Sequence, residues 1–206
     1  FELCAWILTE VLRGTGNAHL LRTNHGKPMR LVLRDLVPAN GLVSKTGQIK
    51  IATFALSLVP QGDDARPHPD APAYLAPERI ARNRYDSRSD IYSASVMLFE
   101  LLHGRSCYHG LRVREVIARV MHSGLPVARL ERDGAPERLV EVAARATSRR
   151  PEDRFESALS MARELMRWLE SSGNHATPST VARFFERVRV EAQQLVDRLR
   201  MVVDTK

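Results

Sequence analysis

Residues 89–104 read SDIYSASVMLFELLHG, and this segment constrains the fold more than any other. Ile91, Ala94, Ser95, Leu98, Leu101 and Leu102 fall on one face of an α-helix, with Asp90 at its N-terminal end and Gly104 marking the stop. Further helices are predicted over residues 113–123, 136–147 and 155–170. Upstream, Ile7, Val11, Leu12 and Ala18 recur at helical spacing between Cys4 and Leu21, and the polar loop RTNHGKP closes that segment. The expected fold class is mainly α.

Strand signals are confined to one region. RLVL and GLV read as short strands flanking an Arg-Asp turn, and SKTG is a turn leading into QIKIA, so short β-hairpins are expected there. Residues 57–74, rich in Pro, Asp and Gly, have no periodicity and read as an exposed loop. Past Glu170, SSGNHATPS has a linker composition over 171–179, and Thr180 opens a last helix over 180–206. In that helix Val181, Phe185, Val188, Ala192, Leu195, Leu199 and Val202 alternate spacings of four and three. So wide a stripe predicts packing on the rest of the chain in preference to self-association.

Composition excludes several function classes. With 206 residues, 44% hydrophobic and 27% charged, the chain suits one globular domain with an appendage. No apolar run is long enough to span a bilayer, and the N-terminus has no signal-peptide pattern, so a cytoplasmic location is expected. Cys4 and Cys107 cannot build a disulfide framework, in keeping with a reducing compartment. The net charge of +7 would suit nucleic acid, but the basic residues are spread along the chain beside acidic neighbours, as in EDRFES. With 6% aromatics and no basic-aromatic interleaving, no nucleic-acid partner is expected. The chain opens on Phe1, which reads as a start partway through a longer product; its excess of Arg over Lys points to a GC-rich bacterial genome.

Five segments carry the chemical argument: LRDLVPAN at 33–40, TFA at 53–55, AYLAPE at 73–78, SDIYSASVMLFELLHGR at 89–105 and RRPEDRFESA at 149–158. Asp35 and Asn40 lie on one tight, Pro38-stiffened loop between two apolar runs, where both side chains can face one cleft. Taken alone, both are also ordinary turn residues. In this order the five segments resemble the large C-terminal lobe of a bacterial eukaryotic-like Ser/Thr protein kinase: the catalytic loop, the D-F-G position, the A-P-E segment, the buried central helix and the Arg-containing segment near the lobe's end. Phosphoryl transfer needs an oxygen base to orient a hydroxyl, oxygen ligands for Mg²⁺ and cations on the phosphates. The resemblance implies Asp35 as the base and Asn40 as a metal ligand. It implies structural roles for Arg34, Phe54, Glu78, Asp90 and Arg154, with Glu78 and Arg154 forming a buried ion pair. Arg34 would clamp a phosphorylated activation loop in the family, but no Ser or Thr occurs between Leu58 and Ala76, so it is read as hydrogen-bonded to loop carbonyls.

The chain also departs from the pattern. Thr53 stands where the principal Mg²⁺ carboxylate is expected; Leu33 replaces the family's His, Val37 a polar or basic residue, Ala55 a Gly, and Ala71 a frequent Thr. No G-x-G-x-x-G precedes the lobe, no strand Lys in a V-A-I-K context occurs, and GTGNAH at 14–19 reads as a helix end. His103, Cys107 and His109 are spaced loosely like metal ligands but lack a fourth, and read as surface residues. Residues 1–170 are therefore expected to form a protein-kinase-like C-lobe of pseudokinase type, a signalling module that binds a protein partner or an N-lobe. The rival is an active Ser/Thr kinase that transfers the ATP γ-phosphoryl group when joined to an N-lobe. Mg²⁺ and ATP are the cofactors of the active form; none is expected for this chain alone.

Overall fold

The computed structural model describes residues 1–52, 71–83, 86–173 and 176–204, with side chains as far as 196 in the last helix. Thr53, Phe54 and Ala55 lie outside the described residues, as does most of the loop expected over 57–74. In chain order the elements are α1 (Glu2–His19), β1 (Gly41–Val43), β2 (Ile49–Ile51), α2 (Ala71–Tyr74), α3 (Pro77–Arg82), α4 (Ser87–His103), α5 (Val113–His122), α6 (Ala128–Arg132), α7 (Glu137–Ala146), α8 (Ala158–Ser171) and α9 (Pro178–Asp204). Among the described residues no helix is long and apolar enough to cross a membrane.

The core is built around α4, which touches α1, α2, α6, α7 and α8. Every residue from Ser89 to Phe99 is buried, so the single apolar face read from the sequence is too narrow a description. Serines make this possible: Ser93 Oγ donates to the Tyr74 carbonyl at 2.7 Å and Ser95 Oγ to the Ala143 carbonyl at 3.0 Å, so neither hydroxyl is stranded. The helix also starts earlier than expected. Asp86 is the N-cap, its side chain accepting from the Arg88 amide, and Asp90 sits in the first turn. Gly104 does close it, in the left-handed conformation at φ 76°.

Helix α1 packs on α8 more extensively than any other pair of elements. Gly16 allows the approach: a Cβ built there would fall 2.5 Å from Leu159 Cγ. GTGNAH thus forms the last turns of α1, as its reading as a helix end predicts, and Gly16 serves the packing against α8. Thr9 and Thr15, both buried in α1, donate to carbonyls one turn back at 2.8 and 2.9 Å.

Among the described residues one antiparallel hairpin forms, with Gly41 opposite Ile51 and Val43 opposite Ile49. The expected strand at RLVL pairs with no other strand among the described residues. Its last amide, that of Leu33, is taken by a side chain, as described below. Short helices α2, α3 and α6 escaped the periodicity argument because each is six residues or fewer. Ala71–Tyr74, expected at the end of a loop, is helical.

The last helix begins at Pro178, two residues before the expected start, because Thr177 and Thr180 cap it reciprocally: the Thr177 amide donates to Thr180 Oγ1 at 2.9 Å. Its first turn sits on the hairpin turn, where Gly47 has φ 81° and a Cβ would fall 1.8 Å from the Pro178 carbonyl oxygen. Val181 is buried, but Phe185, Val188 and Leu195 are 36%, 41% and 52% exposed. The expected packing of the whole stripe on the lobe is thus corrected to docking through one turn. Removing residues 185–206 is expected to change the unfolding free energy less than Val181→Ala does, because Phe185, Val188 and Leu195 are exposed. Val181→Ala, losing two buried carbon groups, should cost about 1.5 kcal/mol; chemical denaturation of both variants checks the contrast.

Candidate functional site

The Arg34–Asn40 turn is pinned from within by Leu33, Leu36 and Val37, each no more than 2% exposed. The apolar side chains point into the core, which leaves Asp35 and Asn40 half-buried on the outer side. Asn40 Nδ2 donates to the Asp35 carbonyl at 3.0 Å and to Asp35 Oδ2 at 3.2 Å, so the two side chains meet directly. The Asn40 carbonyl accepts from the Ala52 amide at 2.9 Å, which carries the chain from the turn to the start of the 53–55 segment. Pro38 supplies the fixed φ at the first position of the 3₁₀ turn Pro38–Asn40.

A buried carboxylate holds the turn in place. Asp90 Oδ2 accepts from the Leu33 amide at 2.8 Å and contacts His19 Nε2 at 2.7 Å, while Oδ1 accepts from the Arg34 amide at 3.2 Å. The bond to the Leu33 amide satisfies the last residue of RLVL without a strand partner. Arg34 itself has φ 62°, the left-handed region that a side chain other than Gly enters at a cost. Arg79 fixes it from the other side, its guanidinium donating to the Arg34 carbonyl. His19 and Arg79 were not singled out from the sequence. His19 lies 71 residues from Asp90, and no local spacing signals such a pair.

Glu78 and Arg154 form a two-pronged ion pair, with both guanidinium nitrogens at 2.8 Å from the carboxylate oxygens. The Arg154 side chain is fully buried, and its remaining donors go to the carbonyls of Ser148, Arg88 and Arg149 at 2.8, 3.0 and 3.5 Å. Ser89 Oγ donates to Glu78 at 2.8 Å, and the guanidinium lies over the Tyr92 ring. The pair therefore joins α3, the start of α4 and the segment leading into α8.

Burial is the largest single influence on Glu78 and pushes its carboxyl pKa up. It is outweighed by the hydrogen bonds and charge of Arg154, helped by a backbone amide and Ser89, so the net position is below the ordinary 4.5. A carboxyl depressed by folding contributes stability that is complete above its unfolded value and lost as the pH falls through its folded value. Acid titration should therefore show a loss of stability developing below about pH 4.5. Glu78→Gln should flatten that part of the profile, as read by denaturant midpoints across the pH range.

Of His103, Cys107 and His109, expected at the surface, His109 is exposed, while the other two are partly or fully buried. Cys107 is buried, its amide donating to Glu100 Oε1 at 2.9 Å, and His103 pairs with Asp133. Among the described residues no group of three His, Cys, Asp or Glu side chains is placed to hold a metal ion.

A helical lobe with one small hairpin and a core-anchored Arg-Asp turn carrying a nearby Asn is the architecture of a kinase C-lobe. Residues 7–183 match the protein kinase domain model, and the chain belongs to that family, as a domain of the bacterial eukaryotic-like type. It is 32% identical over 166 residues to the serine/threonine-protein kinase PknL of Mycobacterium tuberculosis, covering 77% of this chain and 39% of the relative. It is 29% identical over 143 residues to the serine/threonine-protein kinase PknB of Mycolicibacterium smegmatis, covering 66% and 23%. The tyrosine-protein kinase MasK of Myxococcus xanthus is 27% identical over 177 residues, covering 84% and 27%. The chain thus spans well under half the length of these relatives.

Proposed function

We propose that this chain is the C-lobe of a pseudokinase-type module, which engages a protein partner or an N-lobe through its helical scaffold and transfers phosphate weakly or not at all. The observation that carries this reading is Thr53 at the position where the family resemblance calls for the principal metal carboxylate. ATP and Mg²⁺ are what active members of the family use. The donors offered here are the Asp35 carboxylate, the Asn40 amide oxygen and the Thr53 hydroxyl. With Asp35 serving as base, Asn40 and Thr53 offer a hard divalent cation no carboxylate of its own, and the set does not fit a site that is ordinarily held by one or two carboxylates. Losing a carboxylate at such a site removes several kcal/mol of charge stabilisation. In this reading Asp35 and Asn40 keep the positions of base and ligand, residues 1–170 form the lobe, 171–179 a linker and 180–206 an appended helix, and the module works in the cytoplasm.

Calorimetric titration with Mg·ATP is expected to give no measurable heat of binding, and radiolabelled ATP no transfer to protein. Thr53→Asp alone should restore little, because positioning of the phosphates by an N-lobe is still required. The competing reading is an active Ser/Thr kinase, supported by the serine/threonine-protein kinases among the relatives. It wins if the protein extended upstream of Phe1 phosphorylates protein in an Mg·ATP-dependent reaction that Asp35→Asn abolishes.

A further inference from the structure

The loop after α4, the second half of α5 and the start of α6 enclose a cavity of about 160 Å³, lined by Cys107, Tyr108, Arg119, Ser123 and Arg129 among others. None of its lining residues belongs to the Arg34–Asn40 turn. Beside it, sharing Cys107, His109 and Arg129, lies an open groove of about 530 Å³ that adds Arg105 and Arg132. Across both linings the one carboxylate is Asp133, and it is paired with His103.

A minority of the surface arginines have carboxylate partners among the described residues, as Arg13 with Glu10, Arg138 with Glu141 and Glu164, Arg150 with Glu152, and Arg189 with Glu186. Among the described residues Arg105, Arg119, Arg129 and Arg132 have none, although all four converge on adjoining concavities. Like charges brought together without counter-charges cost free energy unless an anion joins them.

The walls are set before any ligand arrives. Glu100 holds the Cys107 amide, the Leu111 amide donates to the Tyr108 carbonyl at 3.1 Å, and Gly104 fixes the exit from α4. Arg119 and Arg129 both line the cavity together with the buried Cys107, whose thiol is pushed up to about 12 by burial and by the Glu100 carboxylate.

The cavity is smaller than the roughly 300–1,000 Å³ of sites for drug-sized ligands. It matches a single compact anionic group. Two guanidinium forks present more donors than one carboxylate can accept, whereas a phosphate monoester offers three terminal oxygens and a charge of about −1.5 to −2. The open groove continues the positive surface along a direction that flanking acidic residues can follow. We propose that the cavity between Arg119 and Arg129 binds a phosphorylated side chain of a protein segment, whose neighbouring acidic residues lie along Arg105 and Arg132.

The test uses the 206-residue chain and a dye-labelled pool of phosphoserine peptides with acidic flanks, read by fluorescence anisotropy. The phosphorylated pool should bind at least about tenfold more tightly than the same pool with Glu in place of phosphoserine, and more tightly than inorganic phosphate. Arg119→Ala and Arg129→Ala should each weaken it by about tenfold, and Arg129→Lys by less than Arg129→Ala, since Lys keeps the charge without the fork. Arg163→Ala, on α8, should bind as the parent does, and thermal melts of every variant should match the parent, separating lost binding from lost folding. Equal affinity for the Glu pool or for inorganic phosphate overturns the proposal, and so does an Arg163→Ala loss as large as that of Arg119→Ala. Arginine-dependent capture of phosphatidylserine vesicles without phosphopeptide binding overturns it in favour of a membrane surface.

Discussion

Glu78→Ala is expected to lower the unfolding free energy by about 3–5 kcal/mol, the usual result of stranding a buried charge. Arg154 is the stranded partner. Its side chain has no solvent exposure, and the carbonyls of Ser148 and Arg88 satisfy hydrogen bonds but supply no negative charge. The double variant Glu78→Ala with Arg154→Met should be more stable than Glu78→Ala alone, because an apolar side chain of similar length removes the uncompensated charge. Urea denaturation of the two singles and the double closes this thermodynamic cycle. A Glu78→Ala cost within the 0–1 kcal/mol typical of exposed pairs would show that water reaches the guanidinium and that the pair is a surface feature.

Asp90→Ala is the second large effect. The substitution removes the acceptor for the Leu33 and Arg34 amides and the partner of His19 in one step. Each buried donor left unsatisfied costs about 1–3 kcal/mol, so a loss of roughly 3–5 kcal/mol is expected. Asp90→Asn keeps one carbonyl oxygen and should fall between parent and Ala. The distinguishing measurement is amide hydrogen exchange: the Leu33 and Arg34 amides should lose protection in Asp90→Ala before the middle of α4 does. Uniform loss across α4 would mean that Asp90 supports the helix and not the turn.

Much of the architecture was legible because it rests on local periodicity. The helices at 113–122, 137–146 and 158–171 were read to within a few residues, as was the stop at Gly104. What escaped depends on contacts distant in sequence. RLVL has the composition of a strand, but Asp90 takes the Leu33 amide across 57 residues, which no pattern within 30–33 encodes. The stripe on α9 has the 4-3 spacing of a packing seam, yet spacing does not say how far along the helix a partner reaches; it reaches Val181 and no further among the described apolar positions of the seam. For the site, the meeting of Asp35 and Asn40 followed from one short loop, whereas His19 and Arg79 became visible as its supports once the fold brought distant elements together.

The contact of α1 with α8 through Gly16 bears on how the chain is made. α1 is synthesised before α8, and Leu159, the residue that fills the space at Gly16, is added 143 positions after it. Until then the apolar side of α1, with Ala5, Leu8 and Leu12 fully covered in the finished fold, lacks a principal cover. Contacts that span so much sequence slow folding, and surfaces awaiting them are open to wrong partners. Nascent chains that stop short of residue 158 should therefore stay chaperone-bound, and release should follow the emergence of α8 from the ribosome.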